Sequence, residues 1–102
     1  MRVGDFDFDP GRGLITKGDV AVRLGTGLRR DLLFYFVNNK NKPVTDFDIL
    51  KTVWQSRFMS DSVVRMGIHH VRRALREVGS TQCKIVNWGS HTWELIVPEE
   101  SE

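Results

Sequence analysis

The segment SDSVVRMGIHHVRRALRE, Ser60 to Glu77, gathers four arginines (Arg65, Arg72, Arg73, Arg76) and two histidines (His69, His70). Arginine can hold a guanine edge with two hydrogen bonds, serine and histidine can donate or accept, and methionine can meet a thymine methyl. Arginines set to one side can grip phosphates. At about 100° per residue, Ser62, Arg65, Met66, His69, Arg73 and Arg76 share one side of a helix, flanked by Arg72. Val64, Ile68, Val71 and Leu75 fall in a narrow sector opposite. The spacing predicts a core-packed helix over 60–77 whose outer face suits a DNA major groove. The alternative is a solvated basic face. Such faces usually mix signs in i,i+4 pairs, whereas acids are scarce here past Asp61.

Other chemistries find less support. His69 and His70 are adjacent, so on a helix they point about 100° apart and do not converge on a metal. Met66 stands where a metalloprotease-type helix would need its second histidine. H-E-x-x-H, the P-loop, G-x-S-x-G and C-x-x-C are all missing from the sequence. Gly11-Arg12-Gly13 and Gly25-Thr26-Gly27 read as turns, not phosphate cradles. Cys83, the single cysteine, reads as an inert, at least half-buried thiol. No enzyme, cofactor or metal site is expected.

The chain has 102 residues, 40% hydrophobic and 27% charged, which suits one ordinary globular domain. No apolar run reaches the roughly 18 residues of a membrane span. Asp5, Asp7 and Asp9 occupy the place of a signal peptide's apolar region, so a cytoplasmic location is expected. The net charge is only +2, but six Lys or Arg against one acid lie between Lys51 and Arg76, and four acids with no base follow from Glu94 onward. Basic character is concentrated around the 60–77 helix.

The elements that must position this helix follow from changes of period. Val3, Phe6 and Phe8, separated by acids, predict a strand with one buried face ending at Asp9-Pro10-Gly11. Leu14–Lys17 and Val20–Leu24 predict two more strands around a Lys17-Gly18-Asp19 turn. Helical spacing of Leu28, Leu32, Leu33, Phe36 and Val37 predicts a helix over 26–38, stopped by the polar run Asn38–Pro43. A second, short helix starts at Thr45, with Asp48 three places on, and ends near Gln55; Phe47, Ile49, Leu50, Val53 and Trp54 supply its apolar residues. Ser60 caps the third helix, which stops at Gly79. Lys84–Trp88 and Thr92–Val97 then form a hairpin about Gly89-Ser90-His91. The fold class is α+β: a winged helix-turn-helix with an N-terminal antiparallel sheet, three helices and a C-terminal hairpin wing over 84–97. The domain spans residues 1–98, and 99–102 form a frayed acidic tail.

This ordered set resembles the winged-helix DNA-binding domain of the OmpR/PhoB type, in its ToxR/CadC-like branch. The matching pieces are Val22 and Leu24, Asp31–Asn39, Val44–Trp54, Val63–Glu77 and Ile85–Leu95. The resemblance implies a transcription regulator that binds double-stranded promoter DNA, with the recognition helix in the major groove and the wing at the neighbouring minor groove. It also implies that the 55–59 loop contacts RNA polymerase; packing of Phe58 back onto the core is the alternative. The wing departs from the family pattern of a basic residue followed by glycine and tyrosine: His91, Thr92 and Trp93 stand there. Trp93 can replace tyrosine as a packing residue, with stacking on DNA as the alternative. His91 either touches DNA or is a plain exposed histidine. The altered wing and acidic tail leave a second functional class open, a protein-interaction module that has lost DNA binding.

With Met1 so close to the first strand, no receiver domain is expected ahead of the fold. That suits the ToxR/CadC-like layout, with a membrane attachment only if a span follows Glu102. A monomer in solution that pairs on DNA half-sites is expected.

Overall fold

The computed structural model describes residues 1–54, 61–89 and 91–98. Ser60 as a cap, the 55–59 loop, Ser90, the 99–102 tail and the side chains of Trp54 and Asp61 lie outside the described residues.

The first strand of the sequence reading is two strands. β1 (Arg2–Val3) turns back at Gly4-Asp5 into β2 (Phe6–Asp9), with Val3 paired to Phe6. The two phenylalanines of β2 and Val3 all point into the core, while Asp7 and Asp9 face water. Gly4 has φ +56, and a Cβ there would collide with the Cys83 sulfur, so the turn needs glycine on both counts. β3 (Leu14–Lys17) and β4 (Val20–Arg23) complete an antiparallel sheet in the order β1-β2-β3-β4.

α1 (Leu28–Asn38) starts two residues later than the periodicity suggests, with Gly27 at its N-cap and no side chain capping it. It buries Leu32, Leu33 and Phe36. Beyond it Asn41, in the left-handed region at φ 61, ties the polar turn to the C-terminal strand. Its side-chain amide donates to the Val97 carbonyl and accepts from the Val97 amide, both at 2.9 Å.

Val44–Thr45 form β5, too short to carry a period of its own. Thr45 then caps α2 (Asp46–Ile49) with a reciprocal pair: Thr45 Oγ1 accepts from the Asp48 amide, and the Asp48 carboxylate accepts from the Thr45 amide, both at 3.1 Å. The regular helix lasts only four residues and continues as a π-helical turn, Leu50–Trp54. Ile49 is buried, whereas Phe47 is 69% exposed, so Phe47 is not a core residue of this helix.

α3 (Asp61–Val78) packs against α1, β3, β4 and the wing. β6 (Lys84–Gly89) and β7 (Thr92–Ile96) form the wing hairpin, and β5 adds to β7, giving the order β5-β7-β6. One core joins both sheets: Phe6, Phe8 and Ile15 from the first, Ile85, Trp93 and Leu95 from the second, with the helices between. No helix among the described residues is long and apolar enough to cross a membrane.

Candidate nucleic-acid interface

α3 lies in the core along one stripe, as its spacing predicts. Val64, Ile68, Val71, Leu75 and Val78 are all at most 3% exposed. Burying side chains of this size stabilises by roughly 1.5–3 kcal/mol each, which holds the helix against rotation about its axis. Ser62, Arg65, Met66, His69, Arg72, Arg73 and Arg76 are all exposed, Met66 at 62%. The helix therefore presents the whole set of sequence-predicted residues to solvent, apart from the wing's His91.

The helix ends at Gly79, whose φ of +90 suits glycine. The Ser80 amide donates to the Leu75 carbonyl at 3.0 Å, and the Gly79 amide to the Arg76 carbonyl at 3.1 Å. This is the Schellman arrangement. The next residues are fastened to the N-terminal sheet by Asp5, which is only 9% exposed. Its carboxylate accepts from Ser80 Oγ at 2.6 Å, the Thr81 amide at 2.9 Å, Lys17 Nζ at 3.0 Å and the Gln82 amide at 3.3 Å. Burial by itself would raise the Asp5 carboxyl, but these four donors outweigh it and hold the group well below the usual carboxylate range. Lys17 Nζ also donates to the Gly79 carbonyl at 2.8 Å, so one ammonium bridges the clamp and the helix end.

The exposed basic residues divide into two flanks. His69, Arg72 and Arg76 line a cleft of about 570 Å³ between α3 and β6, and Lys84 and Asn87 face them from the wing. Among the described residues no acid pairs with Arg72, Arg76 or Lys84. Arg73 points further round and pairs with Glu77, Nε to Oε1 at 3.2 Å. An exposed pair of this kind is worth at most about 1 kcal/mol, so Arg73 remains free to exchange its partner. His70 is half-buried, within the electrostatic reach of Arg29 on α1. Its protonation is suppressed by burial and by Arg29, His69 and Arg73.

At the wing's turn, Gly89 and His91 have φ of +84 and +64. The Asn87 side chain accepts from the Gly89 amide at 2.7 Å, where the β6–β7 register shifts. His91 Nδ1 lies 2.8 Å from Asp46 Oδ2, so of its two ring nitrogens only Nε2 is left to face a ligand. Trp93 is buried, as expected of a packing residue, and its indole N–H donates to Asp46 Oδ1 at 2.6 Å. Trp88 is exposed on the wing and donates to Glu94 at 3.1 Å. Cys83 is buried beneath the cleft, its thiol pushed up by burial and therefore protonated and inert at neutral pH.

Sequence reasoning missed the two buried carboxylates. A signal for Asp5 was present: Val3 and Phe6 break the even spacing that Phe6 and Phe8 keep, which marks a turn between them. Asp46 sits among helix-start residues, where an acid has a local explanation already. Lys84 also went unremarked, since one strand-end lysine carries no pattern.

Residues 21–88 match the sequence family described as "Transcriptional regulatory protein, C terminal". No curated protein sequence matches the chain significantly. Among solved structures, the DNA-binding domain of CadC from E. coli superimposes with a TM-score of 0.84 at 21% identity, covering 95% of this chain and 91% of that one. The DNA-binding domain of CssR from Bacillus subtilis gives 0.73 at 23% identity, over 88% and 98% of the two chains. The DNA-binding domain of the response regulator AdeR, solved with an intercistronic region, gives 0.74 at 14% identity, over 93% and 97%. At these identities the likenesses establish the winged-helix fold.

Proposed function

Because the chain belongs to the transcriptional regulatory protein C-terminal family, whose fold is that of DNA-binding regulator domains and not of enzymes, we propose that α3 reads promoter DNA in the major groove. One observation carries this reading. A helix anchored along a fully apolar stripe exposes four arginines on its other side, and three of them lack an acidic partner among the described residues. Ser62, Arg65, Met66 and Arg73 lie toward the base edges. Arg72 and Arg76, on the wing side, lie toward the sugar-phosphate backbone; His69, which helical spacing alone groups with Arg65 and Arg73 nearest the base edges, goes with Arg72 and Arg76 here because it lines the same cleft. His91 takes part through the wing, held by Asp46 with Nε2 turned outward. The chain binds as a monomer in solution that pairs on repeated half-sites, since one recognition helix spans only a few base pairs.

The double variant Arg65→Ala with Arg73→Ala is the test. Each base-reading arginine lost should weaken specific binding by about 1–3 kcal/mol and relax preference at its position. If the folded double variant keeps wild-type affinity for a fragment selected from random-sequence duplexes, the recognition face lies elsewhere. The chain is then a winged-helix interaction module.

A further inference from the structure

The cleft between α3 and β6 has a composition that narrows what the recognition surface holds there. Two arginines and a histidine line it from the helix, one lysine lines it from the wing, and no acidic side chain takes part. Five cations outside the cleft have acidic partners, Arg2 with Asp7, Arg12 with Asp9, Lys17 with Asp5, Arg30 with Asp31 and Arg73 with Glu77, whereas the cleft gathers Arg72, Arg76 and Lys84 with no acid among its lining residues. The cleft floor is closed by Leu75, Cys83 and Ile85, all buried. Concentrated like charge over an apolar floor calls for an anion. Arginine's planar fork and lysine's compact ammonium are the two usual phosphate ligands.

We infer that this cleft seats a backbone phosphate of the bound DNA strand, and that His69 takes up a proton from solvent when the phosphate enters. The inference rests on the DNA-binding reading above. A phosphate brought among Arg72, Arg76 and Lys84 adds negative charge beside the His69 imidazole, the side chain type that changes charge most readily in the physiological range. An opposite charge within a few ångströms favours the imidazolium. The charged groups that line the cleft with His69 are Arg72 and Arg76 on α3 and Lys84 on β6; the His70 ring lies 6.3 Å away centroid to centroid, and Arg65 and Arg73 stand one turn to either side on α3, with the charge of Arg73 balanced by Glu77. The Cys83 thiol beneath stays neutral. None of these supplies the negative charge in the free protein, so the incoming strand must.

The sign follows from linkage. Binding that takes up a proton tightens as pH falls, by at most about tenfold per pH unit for one group. A mixed-sequence duplex of about 20 base pairs is a suitable probe, because non-specific affinity comes from phosphate contacts. Fluorescence anisotropy between pH 8 and pH 6 at fixed low salt should show several-fold tightening for the wild type. Titration calorimetry in buffers of different ionisation heat should register proton uptake. His69→Gln should remove most of both effects, His70→Gln should leave them in place, and Arg72→Ala and Lys84→Gln should each shallow the salt slope by about one unit. Unchanged pH dependence in His69→Gln overturns the role of His69 alone. Salt slopes unchanged in both cation variants overturn the phosphate seat. Failure of the wild type to bind duplex at any pH overturns this inference together with the DNA-binding reading, and so is distinguishable from either.

Discussion

Two aspartates are the buried charged residues among those described, and each closes a joint of the same surface. Asp5 fastens the C-terminal end of α3 to the first sheet. Asp46 fastens the wing's turn to the start of α2. Their partners differ in kind. Asp5 receives backbone amides, a hydroxyl and a full ammonium, so its charge is balanced and most of its acceptor sites are filled. Asp46 receives two ring nitrogens, one from buried Trp93 and one from His91, whose side chain is 57% exposed. Backbone donors cannot swing away, whereas an exposed imidazole on a turn can. Asp5 thus fixes the helix end mainly through backbone donors, whereas the Asp46 carboxylate holds the wing through two side chains, beside the backbone bond from the Asp46 amide to the His91 carbonyl at 2.9 Å.

The largest effect should come from breaking the rigid joint. Asp5→Ala leaves the Thr81 and Gln82 amides and the Ser80 hydroxyl without their carboxylate acceptor and Lys17 with only the Gly79 carbonyl, and should cost about 3 kcal/mol of global stability by urea denaturation. A loss under about 1 kcal/mol would mean that water replaces the carboxylate easily and that the two joints are alike.

Asp46→Ala should cost about 2 kcal/mol, since it strands the Trp93 indole N–H in the core. Hydrogen exchange should show β6 and β7 losing protection while α3 keeps its own. If protection falls evenly across the domain, the wing is not a separable unit and the comparison fails.

The smallest effect is on pH dependence. The folded-state Asp5 carboxyl titrates below its unfolded value, near 3.9. Its stabilisation is therefore full above that value and is lost as pH falls through and below it. Between pH 7 and pH 3 the loss from this group should be about 1 kcal/mol, and Asp5→Asn should flatten that part of the stability–pH curve. An equal acid slope in Asp5→Asn would assign it to other carboxylates.

The recognition helix was legible because its information is local. Val64, Ile68, Val71 and Leu75 repeat at the helical period, and every exposed residue predicted for the outer face is exposed. The Thr45–Asp48 capping pair and the Gly79 stop were readable for the same reason. The second helix was only half readable: apolar spacing through Trp54 cannot distinguish an α-helix from the π-helical turn that replaces it, nor show that Phe47 faces outward. β5 has two residues, and its existence depends on β7 arriving beside it.

Period, polarity and turn chemistry along the chain were enough to say that a basic helix is buried on one side, and which side. They act between residues at most a few places apart, where backbone geometry alone decides what shares a face. The joints are of another kind. Asp5 meets Ser80 across 75 positions, and Asp46 meets Trp93 across 47. Lys84 faces Arg72 and Arg76 only because the wing folds back along α3. No local rule carries these meetings; they exist because one core draws two sheets against the same helix, and the polar groups at its margins must find partners where that packing leaves them.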